Sequence, residues 1–92
     1  MTKYNVIYST IFKKEFKLMQ KRGYDTNLLK DVVTMLANGK ELPERNRDHE
    51  LMGNFKGCRE CHIKPDWLLI YQIQDEELIL YLTRTGTHSD LF

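Results

Sequence analysis

Trp67-Leu68-Leu69-Ile70-Tyr71 is an unbroken apolar run within a chain of 92 residues, and it limits the possible fold more than any other segment. Side chains alternate between the two faces of a strand, so a strand that is apolar at every position needs cover on both. Residues 67–73, set between the turn signals Pro65-Asp66 and Asp75-Glu76, therefore read as a central strand. Residues 55–64, kinked by Gly53 and Gly57, and residues 78–83 read as its neighbours. Short links favour antiparallel pairing among the three.

Cover for one face lies upstream. Residues 4–8, Tyr-Asn-Val-Ile-Tyr, have the aromatic and β-branched character of a first strand, and Ser9 then offers an N-cap. Phe12, Phe16 and Met19, flanked by Ile11 and Leu18, follow the spacing of an amphipathic helix that Gly23 stops. Asp25 or Thr26 caps a second helix, whose stripe of Leu28, Leu29, Val32, Val33 and Leu36 ends at Asn38-Gly39. Residues 40–50 hold Pro43 and seven charged side chains with no period, a long surface loop of the kind that often carries function. The expected fold is α+β, with an N-terminal strand, a two-helix hairpin, an antiparallel three-strand meander and a short C-terminal turn. Both helices pack on one side of the sheet.

A chain of this length makes one domain, 1–92, with a modest core, so an active site must lie shallowly on one face. Its 41% hydrophobic and 29% charged residues are ordinary for a globular protein. No apolar run approaches the roughly 20 residues of a membrane span, and no secretion signal follows Met1-Thr2-Lys3. A cytoplasmic protein without a membrane partner, its two cysteines reduced, is the expectation. The net charge of +1 conceals a division, because residues 1–48 hold ten Lys/Arg against six Asp/Glu and residues 49–92 four against seven. Lys13, Lys14, Lys17, Lys21 and Arg22 crowd one early segment, which could meet a polyanion or form a solvated helix face.

All three histidines, His49, His62 and His88, fall in the last 44 residues. His62 ends one expected strand, Asp66 sits in the following turn, and His88 lies just past the end of another strand. These three could meet at one edge of the sheet, and His49, on the preceding loop, could reach the same edge. Imidazoles with a carboxylate are what phosphodiester transesterification needs: one group takes the proton of a ribose 2′-hydroxyl and another gives one to the departing 5′-oxygen. A cation must meet the charge that builds on the phosphate, and Arg84, Arg59 and Lys56 lie on the segments that carry the histidines. Trp67 and Phe92 could stack on bases, although Trp67 begins an apolar strand and core packing is its simpler reading. Leu91-Phe92 has the character of a terminal anchor, with Thr87 capping a final turn.

Cys58-Arg59-Glu60-Cys61-His62 also matches a c-type haem attachment pattern, and Cys58, Cys61, His62, His49 and His88 could in principle ligate zinc. On a strand, however, Cys58 and Cys61 fall on opposite faces, which argues against both. Small, half-buried apolar residues are the simpler reading of the two cysteines.

Asp48-His49-Glu50-Leu51-Met52-Gly53, then Lys56 through Tyr71, then Arg84-Thr85-Gly86-Thr87-His88-Ser89-Asp90-Leu91-Phe92 closely resemble the YafQ toxins of bacterial toxin–antitoxin systems, members of the RelE/ParE superfamily. The resemblance covers nearly all of the second half, and the helix hairpin fits it in outline. It implies a RelE-like fold and an mRNA endoribonuclease that acts on translating ribosomes. It also implies a DinJ-like antitoxin, through which the toxin would reach operator DNA only indirectly. By motif position the functional residues fall on His49, His62, Asp66, Trp67, His88 and Phe92, with no metal or cofactor. The roles assigned on that basis are His88 as acid, Asp66 or His49 as base and His62 in support of the phosphate. ParE-like relatives share the fold but bind DNA gyrase without catalysis, and an inactive operon corepressor is a further alternative.

Overall fold

The computed structural model describes residues 2–92. In chain order the elements are β1 (Asn5–Tyr8), α1 (Thr10–Lys21), α2 (Thr26–Ala37), β2 (His49–Glu50), β3 (Arg59–Lys64), β4 (Trp67–Gln74), β5 (Ile79–Gly86) and α3 (His88–Leu91). Single 3₁₀ turns, Glu44–Asn46 and Gly53–Phe55, flank β2. The strands form one sheet in the order β1-β5-β4-β3-β2, antiparallel except where β1 lies parallel to β5.

The apolar run is the middle of this sheet. Trp67, Leu69 and Tyr71 point into the core that Phe12, Met19, Leu29, Val32 and Leu36 of α1 and α2 complete. Leu68 and Ile70 point the other way, against Leu91 of α3 and the half-buried Leu51, Phe55 and Cys58. Both faces of β4 are thus covered, one by the helix hairpin and the other by the 51–58 segment and the C-terminal turn.

Local chemistry sets the helix ends. The Ser9 hydroxyl accepts the Phe12 N–H at 2.9 Å and the Asp25 carboxylate accepts that of Asn27 at 3.0 Å, each supplying a partner for an otherwise orphaned donor. After α2 the chain turns through Gly39 at φ +73°, where a Cβ would lie 2.8 Å from the Lys3 side chain.

The upper edge of β5, past its pairing with β1, is closed by α1. Ser9 Oγ donates to the Thr83 carbonyl at 2.7 Å, and the Thr85 N–H donates to Glu15 Oε1 at 3.2 Å. A side-chain carboxylate takes a bond that a neighbouring strand would otherwise accept.

Three boundaries differ from the sequence expectation. The strand expected over 55–64 begins only at Arg59, because Gly53–Phe55 forms a 3₁₀ turn and Gly57 sits at φ +91°. The strand expected over 78–83 runs Ile79–Gly86: Leu78 closes the turn at φ +54°, while Arg84, Thr85 and Gly86 stay extended opposite Ile70, Leu69 and Leu68. The 40–50 loop ends in the short strand β2 and is pinned midway by buried Asn46, whose Nδ2 donates to the His62 carbonyl at 2.7 Å. Among the described residues no helix is long and apolar enough to cross a membrane.

Candidate active site on the face away from the helix hairpin

Register decides which side chains meet. His49 lies opposite Glu60, Glu60 opposite Ile70, and His62 opposite Leu68. Cross-strand partners share a face, so His49, Glu60 and His62 emerge on the side of Leu68 and Ile70, away from α1 and α2. Glu60 is buried, and its Oε1 stands 3.5 Å from His49 Nε2 and 3.8 Å from His62 Nε2. His49 Nδ1 is 2.7 Å from the Arg47 carbonyl, and His62 Nδ1 is 3.1 Å from that of Pro65. A carbonyl only accepts, so both Nδ1 atoms carry the hydrogen and both Nε2 atoms are directed at one carboxylate.

The turn after β3 continues the cluster. Asp66 is exposed, and its Oδ1 accepts the His88 N–H at 3.1 Å. His88 opens α3, and its ring lies 5.2 Å from that of Phe92, tilted by 34°. Phe92 is 55% exposed and meets Phe55 edge-on at 5.9 Å. A line of contacts therefore runs from His49 through Glu60, His62 and the Pro65-Asp66 turn to His88 and Phe92. Lys56 stays exposed on the adjoining segment.

Of the other expected residues, Trp67 and Arg59 lie on the helix side, and Arg84, opposite Ile70, is engaged by α1. Trp67 is not offered to a base, since it is fully buried on the helix side, 5.2 Å edge-on from Tyr24, with Nε1 donating to Thr85 Oγ1 at 2.9 Å. Arg59 lies opposite Tyr71 and so points to the helix side, where Asp48 takes its Nε–H at 3.0 Å. Its position as a phosphate-binding cation is corrected by strand parity, which places it on the other face from Glu60 and His62. Arg84 follows the expectation less closely, because Glu15 of α1 binds its Nε and Nη2 at 2.9 and 2.7 Å in a two-pronged pair.

Cys58 packs with Leu68 and Ile70, and Cys61 with the helix-side core, so the two thiols do occupy opposite faces. Burial pushes the Cys61 thiol well above its ordinary range. Among the described residues no group of three or more His, Cys, Asp or Glu is arranged to hold a metal ion.

Glu60 and Phe55 are parts of the site that sequence reasoning did not single out. The signal for Glu60 was available, since it precedes His62 by two positions on a strand and so shares its face. Phe55 sits in a 3₁₀ turn with no period to read.

Comparison with known proteins gives the family and the fold. Residues 4–92 match the family described as the bacterial toxin of type II toxin-antitoxin systems, YafQ. The mRNA interferase toxin YafQ of Escherichia coli K12 is 44% identical, the alignment covering 100% of this chain and 99% of the relative. YafQ in the E. coli DinJ–YafQ toxin–antitoxin complex superimposes with a TM-score of 0.89 at 44% identity, covering 98% of each chain. A metal-bound toxin from Helicobacter pylori superimposes at 0.91 with 44% identity over 100% of both chains. Fold and site together define a small α+β toxin with a histidine and carboxylate cluster on one sheet face. The chain belongs to the YafQ family of type II toxin–antitoxin toxins.

Proposed function

We propose that this chain cuts messenger RNA by general acid–base catalysis on the face of the sheet away from α1 and α2. The observation that carries this is the contact line in which the His49 and His62 imidazoles face Glu60, the His62 ring meets the Pro65 carbonyl, and Asp66 accepts the backbone N–H of His88. The 44% identity to proteins named mRNA interferases supports the same chemistry. Asp66 or His49 takes the proton of a ribose 2′-hydroxyl, the 2′-oxygen bonds to phosphorus, and the bond to the 5′-oxygen breaks as His88 protonates it. His62, held through Nδ1 and with Nε2 toward Glu60, supports the phosphate. Phe92, exposed beside His88, stacks on a base. The products are a 2′,3′-cyclic phosphate and a 5′-hydroxyl.

Arg59 and Arg84 are already engaged by Asp48 and Glu15, so the site itself offers few cations to grip free RNA. That supports a message presented by the ribosome, and hence a cytoplasmic place of action. The inhibiting partner is a DinJ-like antitoxin, with operator DNA reached only through it. A groove of about 410 Å³ between α1 and α2, floored by Tyr8, Phe12, Phe16 and Val33 and flanked by Lys13, Lys17 and Lys30, suits an acidic amphipathic segment of that partner. Catalysis is favoured over ParE-like gyrase binding, which has no use for a cluster of proton-transfer groups.

The chemistry is tested by incubating purified protein with programmed ribosomes carrying either an all-ribose message or one with a single 2′-deoxy nucleotide at the cut site. Cyclic-phosphate ends on the first message and no cut on the second are expected. Cleavage of both would exclude attack by the 2′-hydroxyl.

A further inference from the structure

The C-terminal turn is tied to the body at more points than its size explains. Helix α3 has four residues, of which Leu91 alone is buried, and so short a helix near a chain end does not hold itself together in water. Its capping box is closed, with Asp90 N–H donating to Thr87 Oγ1 at 3.2 Å and Thr87 N–H donating to Asp90 Oδ2 at 2.9 Å. The same carboxylate receives Arg22 Nη1 at 2.6 Å and Nη2 at 3.3 Å.

Arg22 is the C-terminal cap of α1. Seven positions earlier, two turns back on the same stripe, Glu15 holds Arg84 and the Thr85 N–H of β5. Helix α1 thus grips β5 and α3 in succession. Gly86 permits the close fit, since a Cβ there would lie 3.0 Å from Asp90 Cβ and 3.4 Å from Leu91 Cδ2. On the other side of the turn, Asp66 takes the His88 N–H.

We infer that Arg22 and Asp90 are positioning residues for catalysis: through the pair, α1 fixes the turn that carries His88 and Phe92 at the reacting phosphate. The role rests on the assignment of His88 as acid, and it removes Arg22 from the basic stretch that could otherwise be taken to contact RNA. Arg22 first, then the Thr87 N–H, holds the Asp90 carboxyl well below the usual carboxylate range, so the pair stays charged at every pH at which the enzyme would work.

The test compares wild type, Arg22→Ala, Arg22→Lys, Asp90→Asn and the Arg22→Ala/Asp90→Asn double variant in cleavage on programmed ribosomes, with amide exchange of residues 87–92 followed by NMR. Displacing His88 by about an ångström lowers kcat roughly 10- to 100-fold, and any rise in KM, through the loosened Phe92, is the same in Arg22→Ala and Asp90→Asn. Arg22→Lys restores part of the loss, keeping the charge but one prong of the contact. The double variant is no slower than Asp90→Asn, since Arg22 acts through Asp90. Amide exchange at 87–92 rises in the Ala and Asn variants while the sheet core stays protected. A raised KM with unchanged exchange for Arg22→Ala, additive with Asp90→Asn, would mean that Arg22 meets RNA and would overturn the proposal. Wild type that does not cut would refute the nuclease assignment, and unchanged exchange in the variants would refute the clamp separately.

Discussion

Glu60 is the residue on which the proposed acid–base cluster turns. Two Nε2 atoms face one of its oxygens, and both imidazoles have their other nitrogen committed to a carbonyl. The buried carboxylate thus helps to fix the orientation of both rings. Glu60→Gln keeps the shape and removes the charge, so kcat should fall about 10- to 100-fold and the pH–rate profile should change its limbs. Unchanged turnover and profile would leave Glu60 a packing residue. Legibility at this scale was uneven. The histidines and Asp66 stood out by chemical type, but a glutamate in a charged segment looks like a solvated strand end until register places it between two imidazoles. Trp67 is the opposite case: its place at the start of an apolar strand already favours the core over base stacking, and burial with the Thr85 hydrogen bond puts it there.

At the scale of elements, strand parity sorts the molecule into two layers. Positions 59, 61, 67, 69 and 71 face the helices, and positions 60, 62, 68 and 70 face the site. Periodicity revealed α1, α2 and β4 together with their caps, because each buries a wide stripe. It did not reveal the 51–58 cover or the closing of the β5 edge by Glu15, which depend on contacts between residues far apart in sequence. The helix-side layer also makes a pH prediction. Burial pushes the Cys61 thiol and the Tyr71 hydroxyl above their ordinary values of 9.0 and 10.0, with Asp48 adding to both. Between those values and the raised ones the unfolded chain ionises while the folded chain stays neutral, so stability is fully present below about pH 9 and falls as pH rises. Urea denaturation from pH 8 to 11 should show that decline, with a shallower one in a Cys61→Ala/Tyr71→Phe variant. Equal slopes would contradict the layer's role.

For the whole molecule, β1 beside β5 lets α1 run along that strand and reach the C-terminal turn. One helix therefore presents lysines toward the α1–α2 groove while Glu15 and Arg22 brace β5 and the C-terminal turn. The basic first half and acidic second half of the sequence are thereby brought into contact, through Arg22 with Asp90 and, with the signs reversed, through Glu15 with Arg84. The most direct measurement of the central claim is inducible expression of wild type and His88→Gln in bacteria lacking the antitoxin, with growth followed and message 5′ ends mapped. Growth arrest by wild type alone, with new cuts in frame within coding regions, is the expected result. Arrest by both proteins without new cuts would contradict catalysis on this face and make a gyrase-binding toxin the better description.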